Sequence, residues 1–197
     1  MILERLKNET SAAHDRVEAL AASDRIMNGS LTPGEYSDLI LRNYILHAAF
    51  EPLLDNATSR HAMHDLSYSE RRKLALLERD IEELGLSLPN IVFEPSVVAD
   101  TPRQVLGCMY VMEGSTLGGA VIRRRLSSLP GFEGLPFHFY GCYGDRTGAM
   151  WNSFRSVLTS LVQTPEHEQE TVAAAVCTFD DVARCFSTDV SSAVAVR

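Results

Sequence analysis

The strongest constraint on the fold is a set of helix starts spelled out residue by residue. The stretches TPGE (Thr32 to Glu35), SYSE (Ser67 to Glu70) and TPRQ (Thr101 to Gln104) fit the capping box. In that motif a hydroxyl accepts from the third amide of the helix, and an acid or amide at that third position reaches back. TPGE, TPRQ and the stretch TPEH at Thr164 also put Pro at the first helical position, where a missing N–H costs nothing. Apolar residues recurring every three to four positions follow each start. The expected helices cover 2–21, 33–57, 68–84, 102–128, 146–163 and 165–188, with a short turn of helix at 23–28.

Between them, residues 85–100 (GLSLPNIVFEPSVVAD) hold two prolines, and residues 130–145 (PGFEGLPFHFYGCYGD) are rich in Gly and aromatics. Both read as long connections. No run alternates as a strand does, and no repeat or linker divides the chain. The expected fold class is all-α, a single domain over residues 1–197, and 45% apolar residues suffice for a core.

A net charge of −8 argues against a nucleic-acid partner, which requires a basic footprint. No run of eighteen apolar residues is present, so no membrane span is expected. The first twenty residues lack the apolar centre of a secretory signal. Cys108, Cys142, Cys177 and Cys185 show no CxxC spacing and are expected as reduced thiols in a cytoplasmic protein.

The first helix buries a stripe of Leu3, Leu6, Thr10, Ala13, Val17, Leu20 and Ala21, and His14 falls within it. A histidine there is either a hydrogen-bonded core residue or a ligand, since neutral imidazole is the commonest metal-binding side chain. Glu18, one turn later, is placed to orient it directly or through water. Lys7 lies two turns before His14 on nearly the same face. It is either a solvated lysine or a cation for an acidic group at the edge of a large planar ligand.

The stretch YVMEGSTLGG (residues 110–119) sets Gly114, Gly118 and Gly119 in a run that is otherwise helical. Each Gly costs about 0.5–1 kcal/mol relative to Ala. Gly114 and Gly118 share a face, which suits either close helix–helix packing or a flat ligand pressed against the backbone. The run Arg123 to Arg125 then closes the helix, where cations favour the dipole; contact with an electron donor is the alternative.

LKNETSAAHDRVE with His14, YVMEGSTLGG with its glycines, and TFDDVARCF (residues 178–186) come in this order at these separations. Together they resemble the haem oxygenases, and most closely the bacterial branch that supplies biliverdin to phytochromes. The likeness runs from about residue 3 to 188. It implies a helical fold with haem b, both substrate and cofactor, between the first helix and a glycine-kinked distal helix. His14 would be the proximal iron ligand, and Gly114, Ser115, Gly118 and Gly119 the distal catalytic segment. Lys7 and Arg155 match cations that face the haem propionates. Phe179 and Phe186, seven apart, match aromatic positions near the pocket, with ordinary core the other reading. Ser115 stands where well-studied members carry an aspartate.

The implied reaction opens haem to biliverdin, CO and Fe2+ with O2 and electrons from a ferredoxin or an NADPH-dependent reductase. The implied biliverdin acceptor is a phytochrome. EGSTLGGA offers no distal His or Arg, and a thiolate proximal ligand, which favours O–O cleavage, is replaced by His14. Rival readings are a non-catalytic haem-binding protein and a helical thiamin-degrading enzyme with Cys142 or Cys177 as nucleophile. A di-iron bundle is excluded, because none of the six histidines follows a Glu by three residues.

Overall fold

Thr32, Thr101 and Thr164 cap helices as their sequences require. Thr32 Oγ1 accepts from Glu35 N, while Glu35 accepts from Thr32 N at 2.9 Å. Thr101 and Gln104 repeat the exchange, and Thr164 Oγ1 accepts from His167 N. The computed structural model describes residues 1–190, so 191–197 of the expected domain lie outside the described residues. The helices are α1 (Ile2–Leu20), α2 (Ser23–Asn28), α3 (Pro33–Arg60), α4 (Leu74–Glu83), α5 (Pro102–Leu126), α6 (Thr147–Leu161) and α7 (Pro165–Phe186). Three 3-10 turns join them, and no strand is present among the described residues.

The expected helix over 68–84 is a correction. Ser67 sits in the left-handed region at φ 46° and caps nothing. A 3-10 turn spans Tyr68–Arg71, and α4 begins only at Leu74. The reason is tertiary. Glu51 of α3 accepts from the amides of both Lys73 (2.6 Å) and Leu74 (2.9 Å), so a carboxylate from another helix caps α4.

Helix α7 lies at the centre, packed along α5 on one side and α1 on the other, whereas α1 and α5 scarcely touch. Gly107 makes the α5–α7 contact possible: a Cβ there would come within 2.3 Å of the Thr171 carbonyl oxygen. Two buried aspartates fasten the long connections. Asp181 of α7 accepts from Ser96 N, Ser96 Oγ and Val97 N. Asp80 of α4 accepts from His138 N and Phe139 N. Helix α5 alone among the described helices is long and apolar enough to cross a bilayer; over half of that window, 56%, is buried in the protein, which marks it as a core helix.

Candidate functional site

Helices α1 and α5 both rest on α7 and make few contacts with each other. His14 stands at the edge of the apolar stripe of α1, with its side chain 54% exposed, and not inside the stripe. Periodicity alone set it inside the stripe; the flank of α1 that carries it is only partly covered, by α7. Its ring stands edge-on to buried Phe179 of α7, with centroids 5.9 Å apart. Nδ1 lies 3.7 Å from Glu18 and 3.9 Å from Asp15, beyond direct hydrogen bonding for the expected Glu18 contact. The ligand atoms of His14, Asp15 and Glu18 lie within 4.8 Å of one another.

On the other side of α7, α5 is helical without interruption through its glycines. They answer the packing question separately. A Cβ on Gly118 would meet nothing within 4 Å, and one on Gly114 only the tip of Trp151, at 4.0 Å. Leu117 and Val121 on the same face are 40% and 54% exposed. Gly119 does not share that face: it is buried, and a Cβ there would approach the Tyr140 carbonyl at 3.3 Å. Ser115 is exposed and donates to Met112 O at 2.9 Å.

Tyr110, one turn before Gly114, approaches the Thr10 hydroxyl of α1 and holds its ring 6.0 Å from Trp151 of α6. Arg155, one turn after Trp151, is exposed, as is Lys7, and neither makes an ion pair among the described residues. Phe186 is buried in the core two turns beyond Phe179 and is not brought to His14.

The family model for heme oxygenases matches residues 1–89 and 94–188, nearly the whole chain. The chain belongs to the heme oxygenase family. A heme oxygenase of Xanthomonas campestris pv. campestris (strain 8004) is 27% identical over 161 residues, covering 82% of this chain and 94% of the relative. The fold matches that of heme oxygenase from Leptospira interrogans at a TM-score of 0.74, with 20% identity over 94% of this chain and 98% of that one. Heme oxygenase-1 of the cyanobacterium Synechocystis, solved in complex with heme, matches at 0.72 with 17% identity, over 97% of this chain and 92% of that one. The NO- and CO-bound heme oxygenase of Neisseria meningitidis matches at 0.67 with 23% identity, over 97% and 94%. The activity of this haem oxygenase is therefore haem degradation, and the haem-carrier and thiamin-type readings fall away.

The open backbone of Gly118, the apolar side chains beside it and the exposed imidazole of His14 suit a flat, apolar ligand with a metal at its centre. A surface depression elsewhere, between α1 and α7 at Arg16, Leu20, Asp180 and Arg184, has no imidazole. The arginine run is not one patch: Arg125 donates to Met27 O at 3.1 Å and the Arg123 side chain lies against Gly141.

Sequence reasoning missed a buried ionic cluster in this haem oxygenase. Glu113, immediately before Gly114, receives Arg71, Lys73 Nζ at 2.9 Å and the Tyr143 hydroxyl at 2.9 Å, all in the interior. Nearby, His47 Nδ1 and Glu51 are 2.9 Å apart. Burial pushes the His47 imidazole below its ordinary value despite Glu51. Burial raises Glu51, but His47 and the amides of Lys73 and Leu74 outweigh it and hold the carboxyl low. Burial, and then the charge of Glu113, push the Tyr143 phenol up. The one signal available was a glutamate inside the apolar run YVMEG.

Proposed function

We propose that His14 is the iron ligand of haem b and that the face of α5 bearing Gly114, Leu117, Gly118 and Val121 covers the opposite side of the macrocycle. The observation that carries this reading is the pairing of an exposed imidazole on α1 with a helix face on α5 where a Cβ would meet nothing. Haem supplies the iron at which O2 is reduced and the meso carbon that is oxidised. The protein supplies the seat. Glu18 and Asp15 stand on the Nδ1 side of His14, which leaves Nε2 for the metal, in the manner of carboxylate–histidine–metal arrangements. Phe179 fixes the ring from the α7 side.

Lys7 and Arg155 hold the haem propionates through charge-assisted hydrogen bonds and so set the rotation of haem in its plane. Ser115 spends its proton on Met112 O, which leaves its oxygen as an acceptor for water at the distal face. Ring opening then yields biliverdin, CO and Fe2+. The motif likeness in YVMEGSTLGG supports the phytochrome-supplying bacterial branch, with a ferredoxin or NADPH-dependent reductase as electron donor, biliverdin passed to a phytochrome, and a cytoplasmic setting. Gly119 contributes by letting the Tyr140 backbone come close.

The test is a haem titration of the wild type and His14→Ala, followed by ascorbate in air. A stoichiometric Soret band that gives way to the broad red absorption of biliverdin is expected for the wild type, and a lost ligation spectrum for His14→Ala. An unchanged ligation spectrum in His14→Ala would overturn the assignment of the ligand.

A further inference from the structure

Glu113 is 2% exposed, in a helix whose other buried residues are apolar apart from Thr116. Its charge is matched by donors from elements far apart in sequence. Arg71, which pairs with it, also donates to Leu66 O at 2.6 Å, to Met150 O at 3.2 Å and to Ser153 Oγ at 2.8 Å. Met150 and Ser153 bracket Trp151 on α6. Trp151 is the side chain that a Cβ on Gly114 would meet, and Arg155 follows it by one turn. One ionic centre thus grips α5 at the residue before the glycine segment and α6 at the turn carrying Trp151 and Arg155. It makes no hydrogen bond to α1 or α7.

Hydrogen bonds between buried ionised groups are short, directional and strong in a low dielectric. A slide of α5 along α6 would break several at once and leave charges unpaired. In the haem seat assigned above, on which this inference rests, Arg155 sets the rotation of haem in its plane and the glycine segment sets where distal oxygen can lie. The meso carbon beneath that oxygen is then decided by the displacement of α5 relative to α6.

We propose that Glu113 is a positioning residue: through Arg71 it locks the glycine segment of α5 to the Trp151–Arg155 turn of α6, and this register selects which meso carbon is oxidised. The test compares the full-length wild type with Ser153→Ala, Tyr143→Phe and Glu113→Gln. Ser153→Ala and Tyr143→Phe each remove one arm of the network and leave its ion pairs intact, so they keep the test alive if Glu113→Gln does not fold. The readouts are the biliverdin isomer ratio by chromatography and the haem methyl shifts of the cyanide complex by NMR.

The expected result is one dominant isomer in the wild type and a rise in minor isomers of about threefold or more in the variants, with haem affinity held within about twofold. Loss of a single hydrogen bond to a charged group is large enough to shift a partition between competing transition states by that factor. A lowered melting temperature with an unchanged isomer ratio and unchanged methyl shifts would overturn the proposal, because a purely structural role predicts that pattern. A wild type that itself yields a mixture would overturn it too. Gly118→Leu separates this from the haem seat: full haem binding and turnover in that variant would sink the seat, whatever the isomer ratio does in the others.

Discussion

Two glycines on one helix should respond to the same substitution with opposite signs. At Gly118 a Cβ meets nothing within 4 Å, so Ala costs no space. It recovers about 0.5–1 kcal/mol of backbone entropy and helix propensity. For a domain of this length, 1 kcal/mol corresponds to about 2–4 °C in Tm. The apoprotein of Gly118→Ala should therefore melt about 1–4 °C higher than wild type. At Gly107 the same methyl lands 2.3 Å from Thr171 O, 2.7 Å from Ala174 Cβ and 3.0 Å from Ala175 N. These are mostly backbone atoms of α7, so no rotamer change relieves them and the two helices must part. Overpacking of this kind costs about 1–3 kcal/mol and occasionally more, and rigid backbone places this case at the upper end. After the propensity gain the net loss is about 2 kcal/mol, or about 4–8 °C.

Thermal unfolding of both apoproteins by circular dichroism at 222 nm measures the signs directly. Haem titration adds the functional half. The Gly118 methyl would press on the macrocycle, and overpacking of about 1–3 kcal/mol weakens haem binding by about fivefold or more. A Gly118→Ala apoprotein that melts lower than wild type would mean that this face of α5 is closed. Unchanged haem affinity in that variant would mean that the face does not meet haem. A Gly107→Ala protein as stable as wild type would refute the α5–α7 packing argument.

Three further outcomes are expected. His47 is buried and favoured neutral, so its folded-state pKa lies below the unfolded value near 6.5. The unfolded chain then binds the proton first as pH falls, so stability is full above about pH 7 and declines as the pH drops below about 6.5. His47→Gln should flatten that decline in urea unfolding, and an equally steep curve would contradict it. Glu113→Leu should cost about 3–5 kcal/mol by leaving buried cations uncompensated, and adding Arg71→Met should recover part of that loss. Purely additive losses in the double-mutant cycle would refute the pairing. Thr101→Ala removes a cap observed on α5 and should lower stability by about 1 kcal/mol, checked by the same melts.

What the sequence made legible was local. Thr32, Thr101 and Thr164 cap their own helices, so a four-residue window holds all the atoms that decide the matter. Ser67 carries the same signature and fails: it is held at φ 46° and makes no side-chain cap, and α4 starts later, where Glu51, 22 residues before Lys73, takes the amides. The glycines divide in the same way. Spacing put Gly114 and Gly118 on one face, but only the fold shows that Gly119 packs on Tyr140 and that Gly107 is the true point of helix contact. The periodicity of α1 located His14 to one flank of the helix; it carries no information on whether a neighbouring helix covers that flank. Arg71 and Lys73, within ERRKL, look like a solvated charge run until Glu113 is seen 40 residues beyond Lys73.

The ionic centre also constrains how this chain can drift. A neutral residue at position 113 strands Arg71 and Lys73 in the interior, and a neutral residue at 71 strips Glu113 of one of its two cations. Each such step costs about 3–5 kcal/mol, a large part of the roughly 5–15 kcal/mol that holds a domain together. Single substitutions therefore lead into a valley that a lineage crosses only with a stability reserve already in hand. Positions 71, 73 and 113 are therefore bound to change together or stay as they are.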